Sequence, residues 1–131
     1  MLKSSFKLFL FFSIILSQKN FSIIVLPDLQ FYNSNLNGGS VEIFSNQIKW
    51  IVENKDSLNI VFVAQVGDLV QSANEKEEEW INADKVMSLL EDSVSTNIKD
   101  GIPYGIAVGN HDNGWKPGNT KLYNKYFGES R

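Results

Sequence analysis

Three short apolar segments, each followed by a side chain that can bind a metal ion, constrain the fold of this chain most strongly. They end at Asp28, Asp68 and Asn110, and about forty residues separate successive ends. Short runs of β-branched and apolar residues between turn residues are typical of buried strands, and this spacing leaves room for one helix in each connection. The sequence therefore predicts an α/β fold, built as a parallel β-α-β-α-β unit.

The three segment ends are expected to meet at one place. Parallel strands joined by right-handed crossovers have their carboxyl ends at the same edge of the sheet. Asp28, Asp68 and Asn110 should therefore converge at that edge. Ligands of open α/β sheets bind beyond these same strand ends, so the spacing and the chemistry of the residues indicate one site.

Helical periodicity supports both connections. Residues 41–54 have apolar side chains near helical spacing: Val41, Phe44, Ile48, Ile51 and Val52. Residues 72–95 carry a second apolar stripe: Trp80, Ala83, Val86, Met87 and Leu90. Residues 121–131 predict a short amphipathic helix with a glycine stop, and the composition of residues 33–40 predicts a loop.

An acidic run at residues 75–79 lies near the start of the second predicted helix. Carboxylates in a first helical turn interact favourably with the helix dipole. We interpret the run as a solvated helix start, with a metal-binding acidic cluster as the alternative.

The amino terminus resembles a secretory signal peptide. Lys3 and Lys7 precede an apolar stretch from Leu8 to Leu16, and polar residues follow it. This stretch is shorter than the roughly 20 residues that span a bilayer comfortably. We therefore expect residues 1–20 to direct export to the periplasm or the extracellular space, without a stable membrane span. An uncleaved membrane anchor and a buried first element of the domain are the alternatives.

Composition narrows the classes of partner. A chain of 131 residues with 43% hydrophobic content can form one core, and the absence of cysteine does not decide the compartment. The net charge is −3; the first 19 residues hold three lysines and no acid, so the remainder carries −6. An acidic surface disfavours nonspecific binding to nucleic-acid phosphates. It is compatible with a phosphate ester held at a metal ion.

The converging side chains predict a metal ion. Asp28 and Asp68 repel each other unless a cation neutralises them, and hard oxygen donors of this kind suit Mn, Mg or Fe. Two ions about 3.5–4 Å apart can activate a water molecule and hold a phosphoryl oxygen. His111, the only histidine of the chain, would then serve as a proton donor.

Three motifs carry a resemblance to a known family. They are Asp28-Leu-Gln30, Gly67-Asp68 and Gly109-Asn-His-Asp112, in that order along the chain. Together they resemble the early motifs of the calcineurin-like metallophosphoesterases, and the likeness covers the chain from about Phe21 to its end. The resemblance implies that the chain forms the amino-terminal half of a metallophosphoesterase-type α/β sandwich, in full a β-sandwich flanked by helices.

The resemblance also implies roles for individual residues. Asp28 would bind one of two divalent metal ions (Mn, Fe, Zn or Mg), Asp68 would bridge both, and Asn110 would bind the second. His111 would stabilise the transition state or protonate the leaving oxygen, and Asp112 would orient it. The implied reaction is hydrolysis of a phosphate ester, with either a small molecule or a macromolecule as substrate.

Two departures from the family pattern affect these expectations. Gln30 stands where the family most often has histidine, although one subgroup carries Asp-Thr-Gln here; its carbonyl oxygen is a weaker, neutral metal ligand. The further histidines that complete the family's site are not in this sequence, so we expect residues 21–131 to be a truncated domain. The competing hypothesis is a noncatalytic or decayed secreted α/β module.

Overall fold

A three-stranded parallel sheet organises the chain. The computed structural model describes residues 20–114 and 118–129. In this part of the chain, strands β1 (Ser22–Leu26), β2 (Ile60–Gln65) and β3 (Tyr104–Ile106) lie side by side in that order. Both neighbouring pairs are parallel. The predicted α/β unit with helices between parallel strands is confirmed, although each strand ends two to four residues before the predicted ligand.

Helices occupy both connections and follow the last strand. Their bounds are α1 (Gln30–Ser34), α2 (Val41–Asn54), α3 (Glu77–Met87), α4 (Ser93–Thr96) and α5 (Lys121–Phe127), with a 3₁₀ turn at Ser88–Leu90 after α3. Among the described residues, none of these helices is long and apolar enough to cross a membrane. The predicted signal peptide at residues 1–20 falls almost wholly outside the described residues.

Helix α2 confirms the prediction from periodicity. It spans the predicted residues 41–54, and its buried side is formed by Phe44, Ile48 and Ile51. The helix begins where Ser40 Oγ accepts a hydrogen bond from Ile43 N at 3.3 Å. A serine in this position satisfies one of the backbone N–H groups that the first turn leaves without a helical partner.

The second connection is helical over a shorter span than predicted. The predicted apolar stripe is buried as expected, but α3 begins only at Glu77, and residues 73–75 form a turn before it. The first helical turn of α3 carries three glutamates, whose negative charges interact favourably with the helix dipole. The remainder of the connection passes through the 3₁₀ turn into the short helix α4.

The predicted loop at residues 33–40 is wrong for its first two residues. Helix α1 includes Asn33 and Ser34, and it ends at Asn35, whose φ of 55° is left-handed. Asparagine tolerates this conformation better than most residues, which explains why the composition indicated a loop. Asn33 is buried, and its Nδ2 donates to Leu69 O at 2.8 Å, so α1 is held against the segment after β2.

In the part of the chain that the structure describes, helices cover one face of the sheet and leave the other exposed. Val63 lies on the covered face and is fully buried, whereas Ile23 and Val25 on the other face are 52% and 60% exposed. The short helix α5 packs on the covered side: its Tyr123 ring meets Trp80 edge to face at 6.1 Å, and Tyr123 Oη donates to Ile106 O at 2.7 Å. This contact ties α5 to both α3 and β3.

Removal of one methyl group from the core of α2 should measurably destabilise the chain. Ile48 is fully buried, so Ile48→Val should lower the free energy of unfolding by about 0.5–1.5 kcal/mol in urea denaturation followed by circular dichroism. Ile43 lies in the same helix but is 41% exposed, so Ile43→Val should change it by less than about 0.5 kcal/mol. Equal losses in the two variants would show that α2 buries a different face.

Candidate metal and catalytic site

The turn after β2 forms the centre of the site. Gly67 has a φ of 110° and Asp68 a φ of 52°, both in the left-handed region. The buried Gln65 side chain closes the turn: its Oε1 accepts from Gly67 N at 2.9 Å and its Nε2 donates to Gly67 O at 2.6 Å. This pair of bonds fixes the backbone of Asp68. Sequence reasoning missed Gln65, although a glutamine inside an apolar strand was a usable signal.

The segment after β1 meets the turn through its backbone. Leu29 N donates to Asp68 O at 3.0 Å, and Gln65 Nε2 also lies 3.3 Å from Pro27 O. Asp28 lies between Pro27 and Leu29 in the sequence and is exposed to solvent. The structure therefore brings the first two predicted metal-binding segments together at the carboxyl edge of the sheet.

The segment after β3 meets the same turn through a side chain. Asp68 Oδ1 accepts a hydrogen bond from His111 N at 2.9 Å. The approach is close, because a Cβ added at Gly67 would lie 3.0 Å from the Cα of Gly109. Glycine at both positions allows the two backbones to touch. The contact orders the loop that carries Asn110 and His111.

Asp112 joins the loops after β2 and β3. It is buried, with Oδ2 accepting from Gly109 N at 2.8 Å and Oδ1 accepting from Val70 N at 3.0 Å. Burial raises the pKa of this carboxyl group above its usual value, while the two N–H donors act in the opposite direction. Among the described residues, these oxygens bond to backbone and not to the His111 ring. The expected orienting effect on His111 would therefore act through the loop.

The His111 ring has a different direct partner. Its Nδ1 lies 3.2 Å from Gln71 O. A carbonyl oxygen can only accept a hydrogen bond, so this contact requires a proton on Nδ1. In the neutral ring, Nε2 then carries no proton. The residue that sets the histidine tautomer is thus supplied by the loop after β2.

Gln30 is one of four described residues with a buried, unpartnered amide oxygen, and it is the one that belongs to the predicted metal ligands. It is 9% exposed, and its Oε1 is buried without a hydrogen-bond partner among the described residues. Buried amide oxygens are normally paired. A cation would satisfy this oxygen, and an amide oxygen is a ligand that hard divalent ions accept.

The predicted metal ligands fit an oxygen-rich site. Asp28 and Asp68 supply carboxylate oxygens, and Gln30 and Asn110 supply amide oxygens. Within residues 20–114 and 118–129, there is no cluster of three or more histidine, cysteine, aspartate or glutamate side chains that could hold a metal ion. The predicted set differs from such a group because half of its donors are amides.

A cleft of about 380 Å³ opens beside the loop after β3. Asn110 and His111 line it on one side. The loop after β2 forms most of the other side. The full lining is Gln71, Ser72, Ala73, Glu75, Asn110, His111 and Gly114. The cleft therefore gives a ligand access to Asn110 and His111, two of the three predicted site residues of the third motif.

Glu79 is a site-supporting residue that sequence reasoning missed. The acidic run was interpreted as solvated, but Glu79 is 3% exposed. Its Oε2 accepts from Gln71 N at 2.9 Å and Ser72 N at 2.8 Å, and its Oε1 accepts from Ser72 Oγ at 3.1 Å. The signal was present, because Glu79 precedes Ala83 by four residues and so lies on the buried stripe of α3.

Comparison with known proteins gives one informative match. The chain is 37% identical over 111 residues to the uncharacterized protein YvnB of Bacillus subtilis (strain 168). The matched region is 85% of this chain but only 8% of the length of that protein. No protein-family profile matches the chain, and no solved structure matches it.

The close approach of the two loops can be tested at Gly109. A Cβ at this position would overlap the carboxylate and backbone nitrogen of Asp68. Gly109→Ala should therefore lower the free energy of unfolding by about 1–3 kcal/mol in urea denaturation. Gly105→Ala is the matched control, because its Cβ would meet only the Phe62 ring, at 3.3 Å, and that side chain can move. A smaller loss at Gly109 than at Gly105 would contradict the described loop contact.

Proposed function

We propose that this chain provides the first three motif segments of a calcineurin-like metallophosphoesterase, which hydrolyses phosphate esters with two divalent metal ions. The observation that carries the proposal is the meeting of three separate segments at Asp68. Its backbone oxygen bonds the segment of Asp28, and its carboxylate bonds the backbone of His111. A parallel sheet with helices in its connections agrees with the amino-terminal half of the sandwich fold of that family.

Asp28, Gln30, Asp68 and Asn110 are the residues that would hold the ions. Two carboxylates at one sheet edge favour divalent cations, and the buried Gln30 oxygen gains a partner when a cation binds. When bound, the ions supply an activated water molecule and neutralise charge on the phosphoryl oxygens. The two ions would be drawn from Mn, Fe, Zn and Mg, and hard oxygen donors suit Mn, Mg and Fe.

His111 would act on the leaving group. Its Nδ1–H bond to Gln71 O fixes the ring and leaves Nε2 to exchange a proton with the substrate. In the charged form, Nε2 donates its proton to the oxygen that departs from phosphorus. Asp112 stabilises the loop that carries the ring, because it bonds both Gly109 N and Val70 N.

The cleft bears on the substrate of the protein, and residues 1–20 bear on its location. The cleft lined by Asn110 and His111 would accept a small-molecule or a macromolecular phosphate ester. Residues 1–20 would direct the protein to the periplasm or the extracellular space, or remain as an anchor if they are not cleaved.

A metal-binding measurement and a kinetic measurement test the proposal together. We expect calorimetric titration to detect Mn²⁺ binding by the chain and weaker binding by Asp68→Asn. In a longer form of the protein, Mn²⁺ should support hydrolysis of an aryl phosphate such as p-nitrophenyl phosphate. His111→Ala should lower kcat by about 10²–10⁴, the usual contribution of a positioned proton donor.

Glu78→Gln is the matched control for both measurements. Glu78 is an exposed acid in the first turn of α3 and is not one of the predicted ligands. It should leave Mn²⁺ affinity and the hydrolysis rate unchanged. Equal rates for the unmodified protein, Asp68→Asn and His111→Ala would reject the assigned roles.

A noncatalytic metal-binding module is the second candidate, and Gln30 favours it. A neutral amide in place of imidazole is a weaker ligand and lacks imidazole's basicity. This candidate predicts Mn²⁺ binding that depends on Asp68 without hydrolysis of the aryl phosphate in the longer protein.

A further inference from the structure

We propose that Glu79 is a positioning residue for His111, acting through the backbone of Gln71. The catalytic meaning of this inference rests on the proposed function, in which His111 transfers a proton. The structural part does not, because it concerns only which ring nitrogen of His111 carries the proton in the neutral state.

The carboxylate of Glu79 is fully committed to the loop after β2. It is 3% exposed and accepts three hydrogen bonds, from the backbone nitrogens of Gln71 and Ser72 and from the Ser72 hydroxyl. A buried carboxylate is costly unless several donors surround it. A glutamate needed only to favour the helix dipole could stay in solvent, as the neighbouring Glu78 does. The burial of Glu79 is therefore explained by the loop that it holds.

Gln71 connects the carboxylate to the histidine. Its backbone nitrogen donates to Glu79 Oε2 at 2.9 Å, and its carbonyl oxygen lies 3.2 Å from His111 Nδ1. Both bonds involve the main chain of one residue, so the position of the acceptor for His111 follows the position of the Glu79 carboxylate. The loop is fixed further where Trp80 Nε1 donates to Ala73 O. Two consecutive residues of α3 thus hold the backbone opposite the ring.

The consequence is a fixed tautomer. The Gln71 carbonyl oxygen can only accept a hydrogen bond, so it favours the tautomer of His111 with the proton on Nδ1. Glu79 would therefore keep Nε2 unprotonated in the neutral ring, which allows it to receive a proton and return it to the substrate. A loop free to move would lose this preference without any change at His111 itself.

The single histidine makes the tautomer directly measurable. In the full chain produced without a histidine tag and labelled with ¹⁵N-histidine, only one imidazole contributes to a long-range ¹H–¹⁵N spectrum. The spectrum is recorded with EDTA at about pH 8.5, where imidazoles are neutral. We expect the Nδ1–H form to predominate in the unmodified chain. In Glu79→Gln, the ratio of the Nδ1–H to the Nε2–H form should fall about fivefold, the size expected for weakening one hydrogen bond.

Two further variants make the result decisive. Glu78→Gln removes the same charge from the same helical turn and should leave the ratio unchanged. Ser72→Ala keeps the Glu79 carboxylate but frees its Oε1, so it should lower the ratio by a smaller amount. An unchanged ratio in folded Glu79→Gln would overturn the proposal. If that variant fails to fold, a Ser72→Ala ratio equal to that of the unmodified chain would overturn it.

The outcome is separable from that of the proposed function. If the ratio depends on Glu79 while the longer protein hydrolyses no phosphate ester, the positioning stands and the proposed function fails. If hydrolysis depends on Asp68 and His111 while the ratio ignores Glu79, the function stands and the positioning fails. If both hold, Glu79→Gln in the longer protein should lower kcat and leave KM unchanged, because the residues proposed to hold the ions and substrate remain in place.

Discussion

The contact between the turn at Asp68 and the two neighbouring loops is the constraint on which the rest of the structure depends. Parallel pairing places three strand ends at one edge, but it does not fix the loops beyond them. The Gln65 side chain closes the turn, and Asp68 then bonds Leu29 N through its carbonyl and His111 N through its carboxylate. Water would otherwise bind each of these polar groups. Hydrogen bonds between the three segments therefore replace hydrogen bonds to water.

Two buried carboxylates, of Asp112 and Glu79, stabilise this junction. Asp112 accepts from Val70 N and Gly109 N, and Glu79 accepts from the next two backbone nitrogens along the loop after β2. Residues 70–72 are therefore held at successive N–H groups by acids from a different loop and from α3. Charged acceptors form stronger hydrogen bonds than neutral ones, and they restrict a segment that has little regular structure of its own. The His111 ring is ordered against this segment.

The sequence predicted the architecture well because periodicity reports local burial. Three apolar runs became parallel strands, residues 41–54 became α2, and the stripe that includes Trp80 and Met87 became the buried side of α3. The spacing also predicted that the segments of Asp28 and Asp68 would meet. Boundaries were less accurate: α3 begins later than its apolar stripe suggested, and α1 replaces the start of a predicted loop, since turn residues such as Asn33 also occur in short helices that are held by tertiary contacts.

The sequence by itself determined the class of fold, the edge at which the motifs lie and the chemical character of their oxygen donors, because these follow from spacing and side-chain type. Only the tertiary structure decided which groups each acid bonds. Glu79 and Glu78 are neighbours of identical chemistry, yet one is enclosed by the loop after β2 and the other faces solvent. Asp112 likewise accepts from Val70 N, 42 residues away along the chain, and from Gly109 N, three residues away. The helical position of Glu79 indicates its burial, but the donors that a buried carboxylate bonds depend on tertiary packing, and side-chain type and spacing do not identify them.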